Sequence, residues 1–297
     1  MSGAMSRLPH VAVITMARDE GTMLRRWVDH YSREVGAEHL VVVDDNSSDG
    51  STDDLPCPVL RIPPLTSKKS FEPARMGMLG GLSAGLLEAY DATIFCDVDE
   101  FIVADPKVHE SLRHFVAARE GRPAVGVMGL NVVHDVAREP ALVDDEPILG
   151  QRRLAKFLPL MCKPSLKWDA APWALASHGI KCPFEVDPEL FMFHMKFADR
   201  DHLQAVADRR HEMFTTEGRA ARTSWERSGG DMVDLLDEIT ADIDHDEVKP
   251  FGPPLKKLPG IVEQSGPDVW RAVGGGQVQA MRNRPFVRIP DRFLGRV

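Results

Sequence analysis

Three short apolar runs, each leading straight into acidic residues, constrain this chain more than any other feature. Val11-Ala-Val-Ile-Thr-Met16 leads into Arg18-Asp19-Glu20, Leu40-Val-Val-Val43 into Asp44-Asp45-Asn46, and Thr93-Ile-Phe-Cys96 into Asp97-Val98-Asp99. Short apolar runs of this kind, rich in β-branched residues, predict buried strands. Between them, residues 20–35 put Met23, Leu24, Trp27, Val28 and Tyr31 on one helical face. A third strand is predicted over 59–62, helices over 73–90 and 108–119, and a fifth strand over 124–133. Gly77, Gly80, Gly81 and Gly85 weaken the 73–90 helix unless they permit close packing on the sheet. Alternation of this kind implies an α/β fold: a Rossmann-like, mostly parallel sheet flanked by helices on both faces. Ligands bind such sheets outside the carboxyl ends of the strands. All three acidic clusters fall on that rim.

The second half has weaker periodicity. Residues 189–194 read as a strand and 199–216 as a helix, amid proline-rich segments such as Lys249-Pro-Phe-Gly-Pro-Pro254. The tail from Gly252, with its Gly274-Gly-Gly276 break, is expected to wrap the surface as a less regular C-terminal part. A formal charge of -9 argues against nucleic acid or anionic membranes as partners, since both need a basic surface. No apolar run reaches the ~18 residues of a transmembrane segment. Residues 1–9 lack the apolar core of a signal peptide. The four cysteines show no CxxC spacing, so a reduced, cytoplasmic setting is expected.

Asp97 and Asp99 stand at i and i+2 of an extended segment, so both carboxylates face one side. Such a pair suits a hard cation, Mn²⁺ or Mg²⁺, that shares a diphosphate. The bland alternative is a solvated turn, which the apolar flanks in Ile94-Phe-Cys-Asp-Val-Asp-Glu-Phe101 disfavour. Asp45, Ser47, Asp49 and Gly50 match the first half of a calcium loop, but its twelfth position is Pro56 instead of glutamate. A strand-end acid for a nucleoside, or a capped turn, remains for Asp44 and Asp45. Arg18-Asp19-Glu20 replaces the glycine-rich turn of dinucleotide folds, and Glu20 reads either as a ligand-binding acid or as a helix first-turn acid stabilised by the dipole. Lys68, Lys69 and Arg75 are candidate diphosphate partners or plain surface cations. His194 closes an apolar run and is either a third metal ligand or a structural histidine; His178 is a weaker case of the same kind. Trp168, Trp173 and Trp225 are candidates for stacking on a sugar or for core packing.

Taken in order, Thr15-Met-Ala-Arg-Asp-Glu20, Trp27, His30, the segment Gly36-Ala-Glu-His-Leu-Val-Val-Val-Asp-Asp-Asn-Ser-Ser-Asp-Gly50 and Phe95-Cys-Asp-Val-Asp-Glu-Phe101 resemble a family 2-type glycosyltransferase. The resemblance covers about residues 9–135 and extends more loosely to Lys163, His178 and His194. It implies a GT-A fold and a metal-dependent enzyme moving a sugar from a nucleoside-diphosphate sugar, UDP-type, to a glycan or small-molecule acceptor with inversion. It further implies that Arg18, Glu20, Asp44, Asp45, Lys69, Arg75 and Asp97 bind the nucleotide, and that Asp97, Asp99 and His194 hold Mn²⁺ or Mg²⁺. On this view 9–135 is the donor half, 136–250 the acceptor side of the same domain, and 251–297 an extension. Asp19 departs from the usual asparagine, and no clear Glu-Asp pair marks the base, which leaves Asp169, Glu185 and Asp187 as alternatives. Two other classes compete. One is a non-catalytic nucleotide-sugar-binding protein. The other is a phosphatase using Asp97 as nucleophile, disfavoured because its acidic pair should follow the first strand and not the fourth.

Overall fold

The structure, a computed structural model, describes residues 7–65, 71–174, 176–221, 223–273 and 276–297. The first half runs β1 (Val11–Ala17), α1 (Gly21–Val35), β2 (Leu40–Asp44), β3 (Val59–Arg61), α2 (Phe71–Leu86), β4 (Ala92–Phe95), β5 (Glu100–Ala104), α3 (Leu112–Ala117) and β6 (Ala124–Val133). A short irregular turn, α4 (Ile148–Gln151), leads to β7 (Leu154–Phe157), β8 (Leu166–Lys167), β9 (Trp173–Ala174), β10 (Gly179–Ile180) and β11 (Glu185–Phe197). The remainder is α5 (Arg200–Glu217), α6 (Gly229–Thr240), β12 (Lys249–Pro250), β13 (Val262–Gly266), β14 (Val269–Ala272), α7 (Gln277–Asn283) and β15 (Phe286–Arg288).

The α/β class expected from the sequence is the one the chain builds. β3, β2, β1 and β4 pair in parallel, in that order, as the core of one large sheet. β8, β6, β7, β15 and β12 continue it, with antiparallel strands interleaved. β11 lies along β6 in parallel and pairs antiparallel with β5, with His194 opposite Glu100. A small second sheet joins β13, β14, β10 and β9.

α1 seats the acidic segment after β4. Its apolar face buries Met23, Leu24, Trp27, Val28 and Tyr31, each worth ~1.5–3 kcal/mol of apolar transfer. The same face carries polar anchors. Trp27 Nε1 donates to Cys96 Sγ at 3.3 Å, and Tyr31 Oη donates to the Glu100 carbonyl at 3.1 Å while accepting from Ile102 N at 2.9 Å. His30 Nε2 meets the Ile102 carbonyl at 2.9 Å. The chain is thus held immediately before Asp97 and immediately after Asp99.

Two glycines of β6 do comparable work from below. A Cβ on Gly129 would meet the backbone carbonyl of Met161 at 2.5 Å, and one on Gly126 would meet the Phe184 ring at 2.8 Å. Their bareness lets residues 158–163 lie flat on β6, which delivers Lys163 to the rim. The α2 glycines behave differently: a Cβ on Gly77, Gly80, Gly81 or Gly85 meets nothing within 4 Å, so close packing does not explain them.

Several sequence expectations are corrected. The tail is not a surface wrap. β15 joins the main sheet beside β7, and Phe293 is buried with its ring 4.6 Å from Phe191 and 5.2 Å from Phe193. The 189–194 strand is the middle of the longer β11. The helix expected over 108–119 shortens to α3. α6 went unanticipated, although Ser228 and Asp231 form a reciprocal capping box at its start. Gly274 and Gly275 lie outside the described residues.

Two outcomes test this account. Gly129→Ala should lower unfolding free energy by about 1–3 kcal/mol or more in urea titration, because the obstructing atom is backbone. His30 is buried, and burial pulls its imidazole from 6.5 down to about 4. The unfolded chain takes up that proton below 6.5 while the folded chain refuses it until about 4. Stability should therefore fall as pH drops through this window, by about 3 kcal/mol from this group. The difference in stability between wild type and His30→Gln, followed by denaturation from pH 7 to 4.5, should shrink accordingly.

Candidate active site

A cleft of about 230 Å³ opens at the carboxyl ends of β1, β2 and β4 and the end of β11. α5 and the segment after it form its roof, contributing Arg209, Arg210, Arg219, Ser224 and Trp225.

The structure separates the neighbouring acids Asp44 and Asp45, whose side chains leave the strand on opposite sides. Asp44 Oδ1 accepts from Ser47 N at 2.8 Å and Oδ2 from Thr52 Oγ1 at 2.9 Å, so it closes the 44–52 turn and does not line the cleft. Asp45 does line it. Its Oδ1 accepts from Leu65 N at 2.6 Å and its Oδ2 from Arg219 Nη1 at 2.5 Å. Asp19 adopts a positive φ of 54° and accepts from Ser48 N at 2.6 Å and Asp49 N at 3.0 Å, bracing the same loop.

Arg18 reaches up to Glu217 with its two Nη atoms at 3.3 and 3.0 Å. Glu20 stands at the N-terminal end of α1 and makes no side-chain capping hydrogen bond to it. It faces the cleft 3.7 Å from Arg210 Nη2. Burial raises its carboxyl above the ordinary range, against the pull of Arg210.

After β4 the acids crowd together. Asp97 bonds Arg75 of α2 and stands 3.4 Å from Lys163 Nζ. Glu100, 1% exposed, meets the same Nζ at 2.5 Å. Asp99 Oδ2 lies 3.4 Å from His194 Nε2 and 3.9 Å from Arg210 Nη2. Burial works to raise all three carboxyls. Arg75 and then Lys163 overcome it at Asp97 and hold it at about 2, while His194 and Arg210 hold Asp99 well below the carboxylate range. At Glu100 burial wins over Lys163 and the group is raised.

Among the described residues no three His, Cys, Asp or Glu side chains stand as a ready metal cluster. One pair nonetheless fits a cation. His194 Nδ1 is committed to Asn131 Oδ1 at 2.8 Å, which aims Nε2 at Asp99. The 3.4 Å gap matches the roughly 3.0–3.4 Å between neighbouring ligands of a small divalent metal bound at ~2.1 Å. Asp97, the other expected ligand, is turned toward Arg75 and Lys163.

The remaining expected residues fall elsewhere. Lys68 and Lys69 lie outside the described residues. Asp169 and Glu185 are exposed and away from the cleft. Asp187 pairs with Arg119 at 2.7 Å and Arg122 at 3.5 Å, roughly 20 Å down β11 from His194. His178 lines the cleft, but burial and then Lys163 drive it down to about 3, and its Nδ1 contacts the Leu160 carbonyl at 3.0 Å. Trp225 lines the cleft, whereas Trp173 packs in the core against Phe95.

Sequence reasoning missed the roof cations Arg209, Arg210 and Arg219, and Lys196. Arg219 is 3% exposed, its Nη2 has no hydrogen-bond partner among the described residues, and its Nε lies 2.5 Å from Glu217 Oε2. Lys196 follows His194 at i+2, on the same face of β11. The available signal was the basic pair Arg209-Arg210 beside the apolar stripe of Val206 and Met213.

We expect Lys163→Met to cost about 3–5 kcal/mol of stability, since it strands buried Glu100 without its cation. Pairing it with Glu100→Gln should recover a substantial part, read from urea midpoints; a double mutant no more stable than Lys163→Met would refute the coupling.

No protein-family model matches the chain, and no curated protein matches it in sequence. Among solved structures it is similar to mannosyltransferase PcManGT from Pyrobaculum calidifontis in complex with GDP-Man and Mn²⁺, at 16% identity and a TM-score of 0.28, over 44% of this chain and 37% of that one. A mycobacterial protein matches at 17% identity and a TM-score of 0.30, over 44% of each chain. Mannose-1-phosphate geranyltransferase from Thermus thermophilus matches at 11% identity and a TM-score of 0.30, over 96% of this chain and 74% of that one. The chain spans less than half the length of the first two. At these scores the similarity carries no functional argument. Among the described residues no helix is long and apolar enough to cross a membrane.

Proposed function

We propose that the chain is a metal-dependent glycosyltransferase of the GT-A type. It takes a nucleoside-diphosphate sugar, UDP-type by family resemblance, and transfers the sugar with inversion to an acceptor hydroxyl. One observation supports this above the others: Asp45, Asp97, Asp99 and His194 meet in one cleft at the strand ends, ringed by Arg18, Arg75, Lys163, Arg210 and Arg219. A protein of net charge -9 has here gathered cations where an anion would sit.

Asp45 takes the nucleoside end. Arg75 and the roof arginines take the diphosphate by charge-assisted hydrogen bonds. Asp99 and His194, with Asp97 beside them, would hold the metal, which when bound supplies charge neutralisation at the leaving diphosphate. Glu20 is the proton acceptor of this scheme. It is a cleft carboxylate whose nearest cation is 3.7 Å away, and its raised proton affinity suits a general base better than that of Asp97 or Asp99.

The binding-only alternative draws on a specific observation: none of Asp169, Glu185 and Asp187 lines the cleft. Binding and turnover separate the two. With Mn²⁺, a nucleotide sugar at a hundred times its Kd should stabilise the protein by about 2.7 kcal/mol, and Asp45→Ala or Asp99→Ala should abolish the shift. Glu20→Gln should keep the shift and lose transfer by about 10²–10⁴-fold. Unchanged Mn²⁺-dependent transfer by Asp99→Ala would sink the metal role. Stabilisation without any turnover in the wild type would favour the binding protein.

A further inference from the structure

Most cations of the cleft are matched by a carboxylate. Arg75 faces Glu72 and Asp97, Lys163 faces Glu100 and Asp97, Arg219 faces Asp45 and Glu217, and Arg210 faces Glu20 and Asp99. Arg209 on the roof and Lys196 on the strand side stand outside this pairing, and Lys196 is the one beside His194. Among the described residues no carboxylate lies within 4.0 Å of its Nζ, which donates only to neutral oxygens: Ser224 Oγ at 2.9 Å and Gln277 Oε1 at 3.5 Å. An ammonium held only by neutral oxygens is completed by an anionic ligand.

Its position says which part of a ligand that is. Along the rim the order is Asp45 just after β2, Asp97 and Asp99 after β4, His194 on β11, then Lys196. With the nucleoside at Asp45 and the diphosphate near Asp99, the sugar end of the cleft falls at Lys196. Trp225, next to Ser224, also lines the cleft, between Arg210 and the Phe71 ring, and offers an aromatic face for a ring of the ligand. The single ammonium at this point balances one negative charge, which a carboxylate carries.

We propose that Lys196, with Ser224 and Gln277, forms a subsite for the carboxylate of a uronic acid. The ammonium bonds one carboxylate oxygen, and the Ser224 hydroxyl and Gln277 amide donate to the group. The assignment of this end to a sugar rests on the nucleotide-sugar function above. The carboxylate belongs either to the transferred sugar or to the acceptor, and two pairs of probes distinguish these sources.

The first pair is UDP-glucuronate against UDP-glucose with Mn²⁺. The second is methyl glucuronide against methyl glucoside, titrated with and without UDP and Mn²⁺. Calorimetry on the full chain should show the acidic member bound about tenfold more tightly in at least one pair. The first pair identifies the donor as the source and the second the acceptor. The preference should vanish in Lys196→Met and return in Lys196→Arg, with melting curves confirming that both variants fold. Equal binding of acidic and neutral members in both pairs by the wild type overturns the subsite, as does a preference that survives in Lys196→Met. Acidic preference without any Mn²⁺-dependent binding of UDP or GDP would instead count against the nucleotide-sugar function and leave the carboxylate site standing.

Discussion

The structure depends on balancing charge at one sheet edge. Asp97, Asp99 and Glu100 lie within four residues, and Asp99 and Glu100 are 7% and 1% exposed. Without cations such a cluster would not stay ionised, because burial raises every one of its carboxyls. Arg75 completes Asp97, His194 and Arg210 complete Asp99, and Lys163 bridges Glu100 and Asp97 from inside. Its place is fixed by packing: bare glycines on β6 let residues 158–163 lie on the strand, and the ammonium then meets the acids without strain.

This balance ties the two halves of the chain together. The acids come from β1, β2 and the turn after β4, while Arg210 and Arg219 come from α5 and its continuation. α5 begins on an Asp199 cap that accepts from Asp201 N and His202 N, and it ends at Gly218 in the left-handed conformation. That reversal turns Arg219 back toward Asp45. A helix ending one turn later would carry the guanidinium past the cleft. The irregular second half is therefore a source of counter-charge for the first and not an ornament on it.

How much of this was legible in the sequence follows from what carries information along a chain. β1, β2, β4 and β6 were read nearly to the residue, because buried parallel strands are short apolar runs and their ends meet polar residues. Asp45, Asp97 and Asp99 could be placed on one rim for the same reason. Asp44 could not be told from Asp45, since alternation along a strand says they differ in direction but not which one points inward. β5 was missed because its apolar run follows the acidic cluster with no break between, and β7 because it is four residues long and carries Lys156. Arg219 and Lys196 were illegible for another reason. Their importance lies in partners 174 residues away for Arg219 and, for Lys196, in the want of an acidic partner, and neither is written in local pattern.

The same ion pairs shape how a ligand enters. Asp45 accepts from Arg219 through Oδ2 and from Leu65 N through Oδ1, so a nucleoside gains this acid only by sharing or shifting the guanidinium. Arg219 is suited to that exchange. Its Nη2 has no hydrogen-bond partner among the described residues, and its Nε faces Glu217 without hydrogen-bond alignment. On the proposed function, an arriving diphosphate would offer oxygens to those donors at the moment Oδ2 is given up. Because Arg18 also holds Glu217, a shift of Arg219 changes the company of two roof residues at once. Binding then replaces one set of ion pairs with another in a solvent-poor cleft. The net gain is smaller than the raw attraction of the arginines suggests, and selectivity follows from which groups can satisfy the donors released.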